Sequence, residues 1–232
     1  MTTTTKKKKK KSPSGGNDVF YPGLAKSSCY RIPTIIHSAR KTLLAFAENR
    51  KKKCSDSGDH DIVLRRSSDG GKSWGKMITV AKGKGAAFSN ANPARVGNRI
   101  LLHFDTMNNP TDSHHGYDMQ TWSSDDGQSW STPTKIKFTN SDNVGKLIGP
   151  SIGIVSSNET IYFSTHSRGI AHLYWSNNNG NSWTVSSHGV KGMNECSIAF
   201  LVSPVDGRIV MNCRTPKGNR AQIVWSPGGH PG

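Results

Sequence analysis

The stretch SSDGGKSW, Ser67–Trp74, returns as SSDDGQSW at Ser123–Trp130 and as SNNNGNSW at Ser176–Trp183. The serines that open the three copies lie 56 and 53 residues apart, and Ser226 follows 50 residues later in WSPGGHPG. Such a period is typical of proteins built from one small supersecondary unit per repeat, and about 50 residues matches one four-stranded blade of a β-propeller. The repeated turn therefore decides the predicted fold.

Short segments that read as β-strands lie between the copies of the turn. Each is apolar or alternating and is bounded by Gly, Asn, Asp or Ser, and no segment carries the sustained i, i+3, i+4 spacing of a helix. The sequence predicts an all-β domain. Four of these segments occupy equivalent places in the period: Thr42–Glu48, Arg99–Phe104, Thr160–Thr165 and Arg208–Cys213.

The repeated turn is predicted to be structural. Its serine and its Asp or Asn can hydrogen-bond to nearby backbone, its glycine allows a positive φ, and its tryptophan covers the hairpin and packs into the blade. A carboxylate that recurs in successive repeats fits poorly with a single active site. The residues concerned are Ser67, Asp69, Gly71, Trp74, Ser123, Asp125, Gly127, Trp130, Ser176, Asn178, Gly180 and Trp183.

The chain of 232 residues is strongly basic, with a formal charge of +16. Lys6–Lys11 contribute six of these charges, and we interpret residues 1–19 as a disordered tail ahead of a domain over residues 20–232. A nuclear-targeting or nucleic-acid-binding arm is the alternative, but no aromatic or arginine residues are interleaved with the lysines. The positive charge on the rest of the chain favours anionic ligands through long-range attraction, without indicating which ones.

Several classes of protein find no support in the sequence. No apolar run approaches the roughly 18 residues of a membrane span, and no apolar segment that would indicate a secretory signal follows the lysines. A cytoplasmic location is therefore the default expectation, and a lysosomal, membrane-associated or secreted protein is the alternative if the N-terminus is misassigned. The four cysteines and nine histidines show no zinc-binding spacing, and we expect neither metal nor cofactor. The spacing leaves open whether any cysteines are bridged.

A longer segment, Tyr30–Trp74, leads into the first copy of the turn. It contains YRIP, then the strand-like LLAFAENR, an aspartate six residues on, and RRS immediately before the turn. The turn itself has the form S-x-D-x-G-x-(T/S)-W, known as the Asp-box. This ordered set resembles the sialidase (neuraminidase) family over about residues 20–226. The later segments that match are Ala91–Val96 (ANPARV), Gly149–Ile154 (GPSIGI), Asn194–Leu201 (NECSIAFL) and Ile209–Thr215 (IVMNCRT).

The resemblance implies a six-bladed β-propeller, of which about four blades fit into this chain. It also implies an exo-α-sialidase, which removes terminal sialic acid from glycoproteins, glycolipids or oligosaccharides through a tyrosine nucleophile and with retention of configuration. No cofactor is implied, because the protein's own charged groups supply the electrostatics. The alternative is a catalytically inactive sialidase-like propeller that binds anionic glycans or a protein partner.

The resemblance also assigns substrate-binding residues. Arg31 in YRIP and Arg214 in NCRT match two of the three arginines that clamp the substrate carboxylate in planar, bidentate geometry. Arg50 in AENR matches a further pocket arginine that faces the ring substituents of the sugar. Asn92 in ANP matches a position where the family has an Asp or Asn that lines the pocket.

Two acidic residues match the catalytic positions of the family. Asp56 matches the general acid and base that acts on the glycosidic oxygen, with Asp59 three residues on as the alternative, while Asp61 is interpreted as structural. Glu195, in NEC, matches the glutamate that draws the proton from the nucleophilic tyrosine. We expect Glu195 to lie within an apolar strand, where a carboxylate would be unusual unless it served a site.

The third clamp arginine and the nucleophilic tyrosine should follow Arg214 in the family order. The 18 residues Thr215–Gly232 contain no tyrosine, and their one arginine, Arg220, lies too close to Arg214 to complete the clamp. We therefore interpret the sequence as the N-terminal two-thirds of a sialidase, and we expect this chain alone to be inactive or nearly so.

Overall fold

The computed structural model describes residues 18–107, 116–140, 148–201, 207–226 and 230–231, so the predicted tail lies almost entirely outside the described residues. Within them, the regular structure is β-strand apart from a short 3₁₀ turn at Leu24–Lys26. The strands form three hydrogen-bonded sheets, in which every strand pairing is antiparallel except for one parallel bridge. The prediction of an all-β fold is confirmed.

The first sheet consists of two antiparallel units joined by a single parallel bridge between His60 and Ala87. The strands of unit 1 are β1 (Cys29–His37), β2 (Leu43–Arg50), β3 (His60–Ser67) and β4 (Ile78–Ala81). Those of unit 2 are β5 (Ala87–Val96), β6 (Arg99–Met107), β7 (Tyr117–Ser123) and β8 (Thr134–Lys135).

The second and third sheets form units 3 and 4. Unit 3 contains β9 (Ile154–Val155), β10 (Ile161–Ser167), β11 (Ile170–Ser176), β12 (Thr184–Val185) and β13 (Val190–Lys191), of which β12 and β13 both pair with β11. Unit 4 contains β14 (Cys196–Phe200), β15 (Ile209–Arg214), β16 (Arg220–Ser226) and β17 (His230–Pro231).

Each sequence repeat corresponds to one unit. The repeated turn follows the third strand of units 1, 2 and 3, because Ser67 ends β3, Ser123 ends β7 and Ser176 ends β11. The four strands predicted at equivalent places in the period lie in β2, β6, β10 and β15, the second strand of every unit. The sheets do not close into a ring within the described residues, and the number of blades stays a prediction.

The hydrophobic core lies between consecutive units. Leu101 and Leu102, neighbours on β6, point to opposite faces of unit 2, as successive residues of a strand do. Leu102 packs towards unit 1, whereas Leu101 packs towards unit 3. A third cluster joins units 3 and 4. The largest buried side chains of the three clusters are Phe46 and Phe104, then Phe163, Tyr174 and Trp183, then Met211 and Trp225.

Side-chain hydrogen bonds close the first copy of the turn. Ser67 Oγ donates to Asp69 Oδ1 at 2.7 Å and accepts a hydrogen bond from the N–H of Gly71 at 2.9 Å. Asp69 also accepts from the N–H and the hydroxyl of Ser73, at 2.9 and 2.5 Å. Gly71 has a φ of 90°, a conformation that favours glycine.

The third copy replaces the carboxylate by an amide and reverses one hydrogen bond. In the second copy, Asp125 Oδ2 accepts from the hydroxyl of Ser129 at 2.5 Å. In the third, Asn178 Oδ1 still accepts from the N–H of Ser182 at 3.0 Å, but Nδ2 donates to Ser182 Oγ at 2.7 Å. Trp183 of this copy is fully buried, whereas the tryptophans of the other two copies are only half-buried.

Neighbouring units keep the same orientation. Asp126 of the second turn accepts a hydrogen bond from Thr42, at the entry to β2, at 2.6 Å and forms an ion pair with Arg66 of β3 at 2.9 Å. Asn179 of the third turn likewise accepts from Arg99, the first residue of β6, at 2.6 Å. The repeated turns therefore lie side by side at one end of the units, which we call the turn end.

The core between units 2 and 3 predicts a difference between two leucines. Leu101→Ala should lower the free energy of unfolding by about 2–5 kcal/mol, because it removes buried methyl groups and leaves a cavity. Leu201→Ala, the same change at an exposed position, should cost no more than about 0.5 kcal/mol. Urea unfolding measures both, and equal losses would contradict the proposed location of the core.

The second turn predicts a specific sensitivity to acid. Burial raises the pKa of Asp125, but hydrogen bonds from Ser129, Ser123 and Gln128 outweigh it and lower the pKa from 3.8 to about 2. A carboxylate whose pKa is lower in the folded state stabilises the fold above its unfolded pKa, and this contribution is lost as the pH falls from about 4 to about 2.

Asp125→Asn should therefore unfold with a weaker pH dependence than the wild type over that range, as followed by urea midpoints. The reciprocal control is Asn178→Asp, which should make the third turn acid-sensitive in the same way because Ser182 can turn its hydroxyl to donate. An unchanged pH dependence in both variants would rule out this account of the turn.

Candidate active site

Two arginines converge on Asp56. Arg50 Nη1 lies 2.7 Å from Asp56 Oδ1, and Arg31 Nη1 lies 3.2 Å from the same oxygen. Arg31 belongs to β1 and Arg50 ends β2, while Asp56 lies in the loop between β2 and β3. The Asp56 side chain is 80% exposed and that of Arg31 is 48% exposed, whereas that of Arg50 is only 2% exposed. The carboxylate of Asp56 therefore faces solvent while it is bound by the buried guanidinium of Arg50.

The register of β1 and β2 explains why these side chains meet. Arg31 pairs with Glu48, and Cys29 pairs with Arg50, so all four residues lie on one face of the two strands. The register shifts directly after Arg31, where Ile32 adopts a φ of 51°. Arg31 is therefore the last residue of β1 on this face before the regular pairing of β1 with β2 is interrupted.

Glu48 fixes the guanidinium of Arg50. Arg50 donates to Glu48 Oε2 through Nε at 2.8 Å and through Nη2 at 2.6 Å, and its Nη1 also donates to the carbonyl of Cys54 at 2.8 Å. The other carboxylate oxygen of Glu48 accepts from the N–H of Asn90 at 2.9 Å. Burial raises the pKa of Glu48, although the Asn90 hydrogen bond and the Arg50 charge oppose the change.

The Arg50 guanidinium therefore hydrogen-bonds to groups of the protein itself. Its guanidinium binds Glu48, the carbonyl of Cys54 and Asp56, and its role towards a sugar ring stays a prediction. The hydrogen bond from Arg50 holds the pKa of Asp56 below its usual range. Burial opposes this shift, and the charges of Arg50 and Arg31 add to it. Asp56 is therefore ionised in this arrangement at neutral pH.

A second acid–arginine pair joins Glu195 and Arg214. Arg214 Nη1 lies 3.1 Å from Glu195 Oε2, and the N–H of Arg214 donates to the carbonyl of Glu195 at 2.9 Å. Both side chains are accessible, that of Arg214 to 56%. Contrary to the expectation from sequence, Glu195 lies in the bend directly before β14 and not within the strand. The Glu195 carboxylate is therefore accessible to solvent, and the apolar strand begins at the next residue, Cys196.

Asn92 is buried and bonded within the chain. Its Oδ1 accepts from the N–H of Ser151 at 2.7 Å, and its Nδ2 donates to the carbonyl of Asn90 at 2.8 Å. These bonds lie at the irregularity of β5 between Ser89 and Asn92, and they connect unit 2 to the segment that precedes β9. A role for Asn92 in lining a pocket stays a prediction.

The two acid–arginine pairs share one end of the units. Arg31 lies near the start of β1 and Glu195 directly precedes β14, the first strands of units 1 and 4. Arg50 and Arg214 are the last residues of β2 and β15, the second strands of the same units. In an antiparallel pair the start of one strand meets the end of the next, so both pairs lie opposite the turn end. We call this the site end.

Glu48 is the residue of this site that the sequence analysis missed. Its signal was present, since it is the acidic residue in an apolar strand and lies two positions before Arg50, on the same face. Within the described residues, no group of three or more His, Cys, Asp or Glu side chains is placed to hold a metal ion. The described part of the chain also has no helix long and apolar enough to cross a membrane.

The sequence matches the BNR repeat-like domain family over residues 41–229. Among curated relatives it is 29% identical to a sialidase of Bacteroides fragilis, covering 90% of this chain and 44% of the relative. It is 25% identical to a sialidase of Paraclostridium sordellii, covering 84% of this chain and 55% of that protein. The chain thus spans about half the length of the curated relatives it matches.

Solved structures share the fold at lower identity. The Hadza microbial sialidase Hz136 aligns with a TM-score of 0.79 and 20% identity over 90% of this chain and 47% of its own. Trypanosoma rangeli sialidase, solved as a covalent intermediate with 2,3-difluorosialic acid, aligns with a TM-score of 0.72 and 20% identity over 88% and 37%. The fold of this chain is therefore the all-β fold of these sialidases.

The buried pair predicts that the two arginines on Asp56 differ in their effect on stability. Arg50→Met should lower the free energy of unfolding by about 3–5 kcal/mol, because it leaves the carboxylate of Glu48 buried without its partner. Arg31→Met, the matched change at an exposed ion pair, should cost at most about 1 kcal/mol. Urea unfolding at pH 7 compares them, and similar costs would show that the Glu48–Arg50 pair is not buried as described.

Proposed function

The chain belongs to the BNR repeat-like domain family, and from its likeness to sialidases we propose that it forms the greater part of the substrate site of an exo-α-sialidase. Its substrate would be terminal sialic acid on glycoproteins, glycolipids or oligosaccharides. The observation that carries the proposal is the pair of acid–arginine contacts, Asp56 with Arg31 and Glu195 with Arg214, at the same end of the units.

The accessible arginines fit an anionic sugar. A guanidinium binds a carboxylate through two parallel hydrogen bonds, and the side chains of Arg31 and Arg214 are 48% and 56% exposed. Arg50 differs from both, since Glu48 already occupies its Nε and Nη2. We therefore assign carboxylate binding to Arg31 and Arg214, and the support of Asp56 to Arg50.

The contacts of Asp56 suggest how substrate would control its protonation. As described, the arginines keep Asp56 ionised, whereas a general acid must carry a proton before the glycosidic oxygen leaves. A sialic acid carboxylate bound to Arg31 would offset the charge of that arginine and raise the pKa of Asp56. Substrate binding would therefore favour the protonated form that the first chemical step requires.

Glu195 would activate a tyrosine nucleophile, and cleavage through that nucleophile would retain configuration. Two tyrosines of this chain have hydroxyls that are bonded to groups other than Glu195. Tyr30 donates to the carbonyl of Leu24 at 2.7 Å, and the Tyr174 hydroxyl is buried 2.8 Å from His103 Nδ1. The chain spans about half of its curated relatives. The proposal therefore includes a nucleophile and a third clamp arginine from the remainder of a full-length sialidase.

Binding of N-acetylneuraminic acid, followed by ligand-detected NMR, tests the site. Arg31→Gln and Arg214→Gln should each weaken binding about tenfold or more, because charge-assisted hydrogen bonds contribute about 1.5–3 kcal/mol and about 1.4 kcal/mol corresponds to tenfold. The matched control is Arg99→Gln at the turn end, where Arg99 stacks on Trp122 and bonds Asn179.

Equal weakening by Arg99→Gln, or no binding by the wild type, would overturn the proposed site. A fluorogenic sialoside distinguishes the remaining alternatives, since this chain alone should bind it with little or no turnover. If a longer form that carries the nucleophile also binds without turnover, the non-enzymatic alternative of a glycan-binding propeller is favoured.

A further inference from the structure

We infer that Cys29, Cys54, Cys196 and Cys213 are positioning residues of the candidate site, because their two disulfide bonds are built into the two acid–arginine pairs. Cys29 is bonded to Cys54 and Cys196 to Cys213, with Cα atoms 5.4 and 4.0 Å apart. The effect on substrate binding rests on the proposed function, whereas the effect on the geometry of the site does not.

The first disulfide holds the two sides of the Asp56 contact. Cys29 lies two residues before Arg31 on β1, and Cys54 lies two residues before Asp56 in the β2–β3 loop. The carbonyl of Cys54 accepts from Arg50 Nη1, the same nitrogen that binds Asp56 Oδ1. The covalent bond thus links the strand that carries one arginine to the loop that carries the carboxylate.

Noncovalent contacts also hold the loop, at its base and further out. Lys51 Nζ lies 2.8 Å from Asp59 Oδ1 and 2.9 Å from Asp61 Oδ1, which closes the base. Ser28 Oγ donates to the carbonyl of Lys51 at 3.0 Å. Further out, Arg50 Nη1 binds the Cys54 carbonyl and Asp56 Oδ1, while the exposed Arg31–Asp56 contact is of a kind that contributes little alone. Without the disulfide, only these noncovalent contacts would hold the loop, and Asp56 would separate from the arginines more often.

The second disulfide closes the end of the β14–β15 pair. Cys196 and Cys213 are direct partners across the two strands, and Glu195 and Arg214 are their immediate neighbours. Beyond the disulfide, two backbone hydrogen bonds continue the pairing, from Arg214 to Glu195 and from Asn194 to Arg214, both at 2.9 Å. Strand ends with so few bonds fray, and the disulfide holds this one closed.

The distribution of the cysteines supports a role at the site. The chain contains four cysteines, and every one lies within two residues of a candidate acid or arginine. The bonds span 25 and 17 residues in two different units, yet both lie at the site end. None connects one unit to another, which is where a bond that stabilised the whole array would be expected.

The test measures the pKa of the Asp56 carboxyl by ¹³C NMR in the full 232-residue chain. The double substitution Cys29→Ser with Cys54→Ser should raise it towards its ordinary value, because Arg50 and Arg31 hold it low. The matched control, Cys196→Ser with Cys213→Ser, removes the other disulfide and should leave it unchanged. Both double variants should bind N-acetylneuraminic acid about tenfold more weakly than the wild type.

The two readouts separate this inference from the proposed function. An unchanged pKa of Asp56 in a folded Cys29→Ser, Cys54→Ser variant would overturn the positioning role, whatever happens to binding. A raised pKa with no binding by the wild type would leave the positioning role standing and overturn the proposed function. If the variant does not fold, reduction of the folded wild type by a dithiol replaces it, and global unfolding on reduction would show that the disulfides hold the fold and not the site.

Discussion

Each antiparallel unit of this chain buries its apolar surface against the neighbouring units. The clusters between units 1 and 2, 2 and 3, and 3 and 4 show this directly, and the neighbours Leu101 and Leu102 divide between two of them. A chain of nearest-neighbour contacts of this kind is what repeat proteins use in place of one central core. Because both faces of units 2 and 3 pack against neighbouring units, the strand ends and their loops remain accessible for chemistry.

The two ends of the units divide that work. At the turn end, side chains such as Asp126 reach from one repeat to the strands of the previous one. At the site end, a buried carboxylate, Glu48, holds a buried arginine, and that arginine holds an exposed carboxylate. These contacts run from the interior to solvent, so the position of Asp56 depends on the buried Glu48–Arg50 pair.

The sequence predicted the parts of this arrangement that repeat. The period of the turn gave the units, the short apolar segments gave the second strand of every unit, and the acid and arginine residues of both pairs were identified. Glu48 was missed because LLAFAENR reads as a core strand, although its position two residues before Arg50 puts both side chains on one face of that strand.

The pairing of the cysteines, in contrast, could not be predicted from the sequence. The bonded residues are 25 and 17 positions apart, and such spacing carries no information until the loop after β2 and the register of β14 with β15 are known. Glu195 was placed inside a strand because the apolar run begins beside it, and a boundary of one residue decides whether a carboxylate is buried or accessible.

The third turn shows which chemical property the repeat preserves. Asn178 accepts from the backbone of Ser182 as an aspartate would, while the hydroxyl of Ser182, able to donate or accept, changes its part. The oxygen acceptor at the Asp or Asn position is therefore kept in each copy, whereas the hydroxyl of the later serine can either donate or accept. A search profile for such units should weight an acceptor two residues after the first serine and a hydroxyl four residues further on, and give no weight to negative charge. It would then find diverged copies that a strict carboxylate pattern passes over.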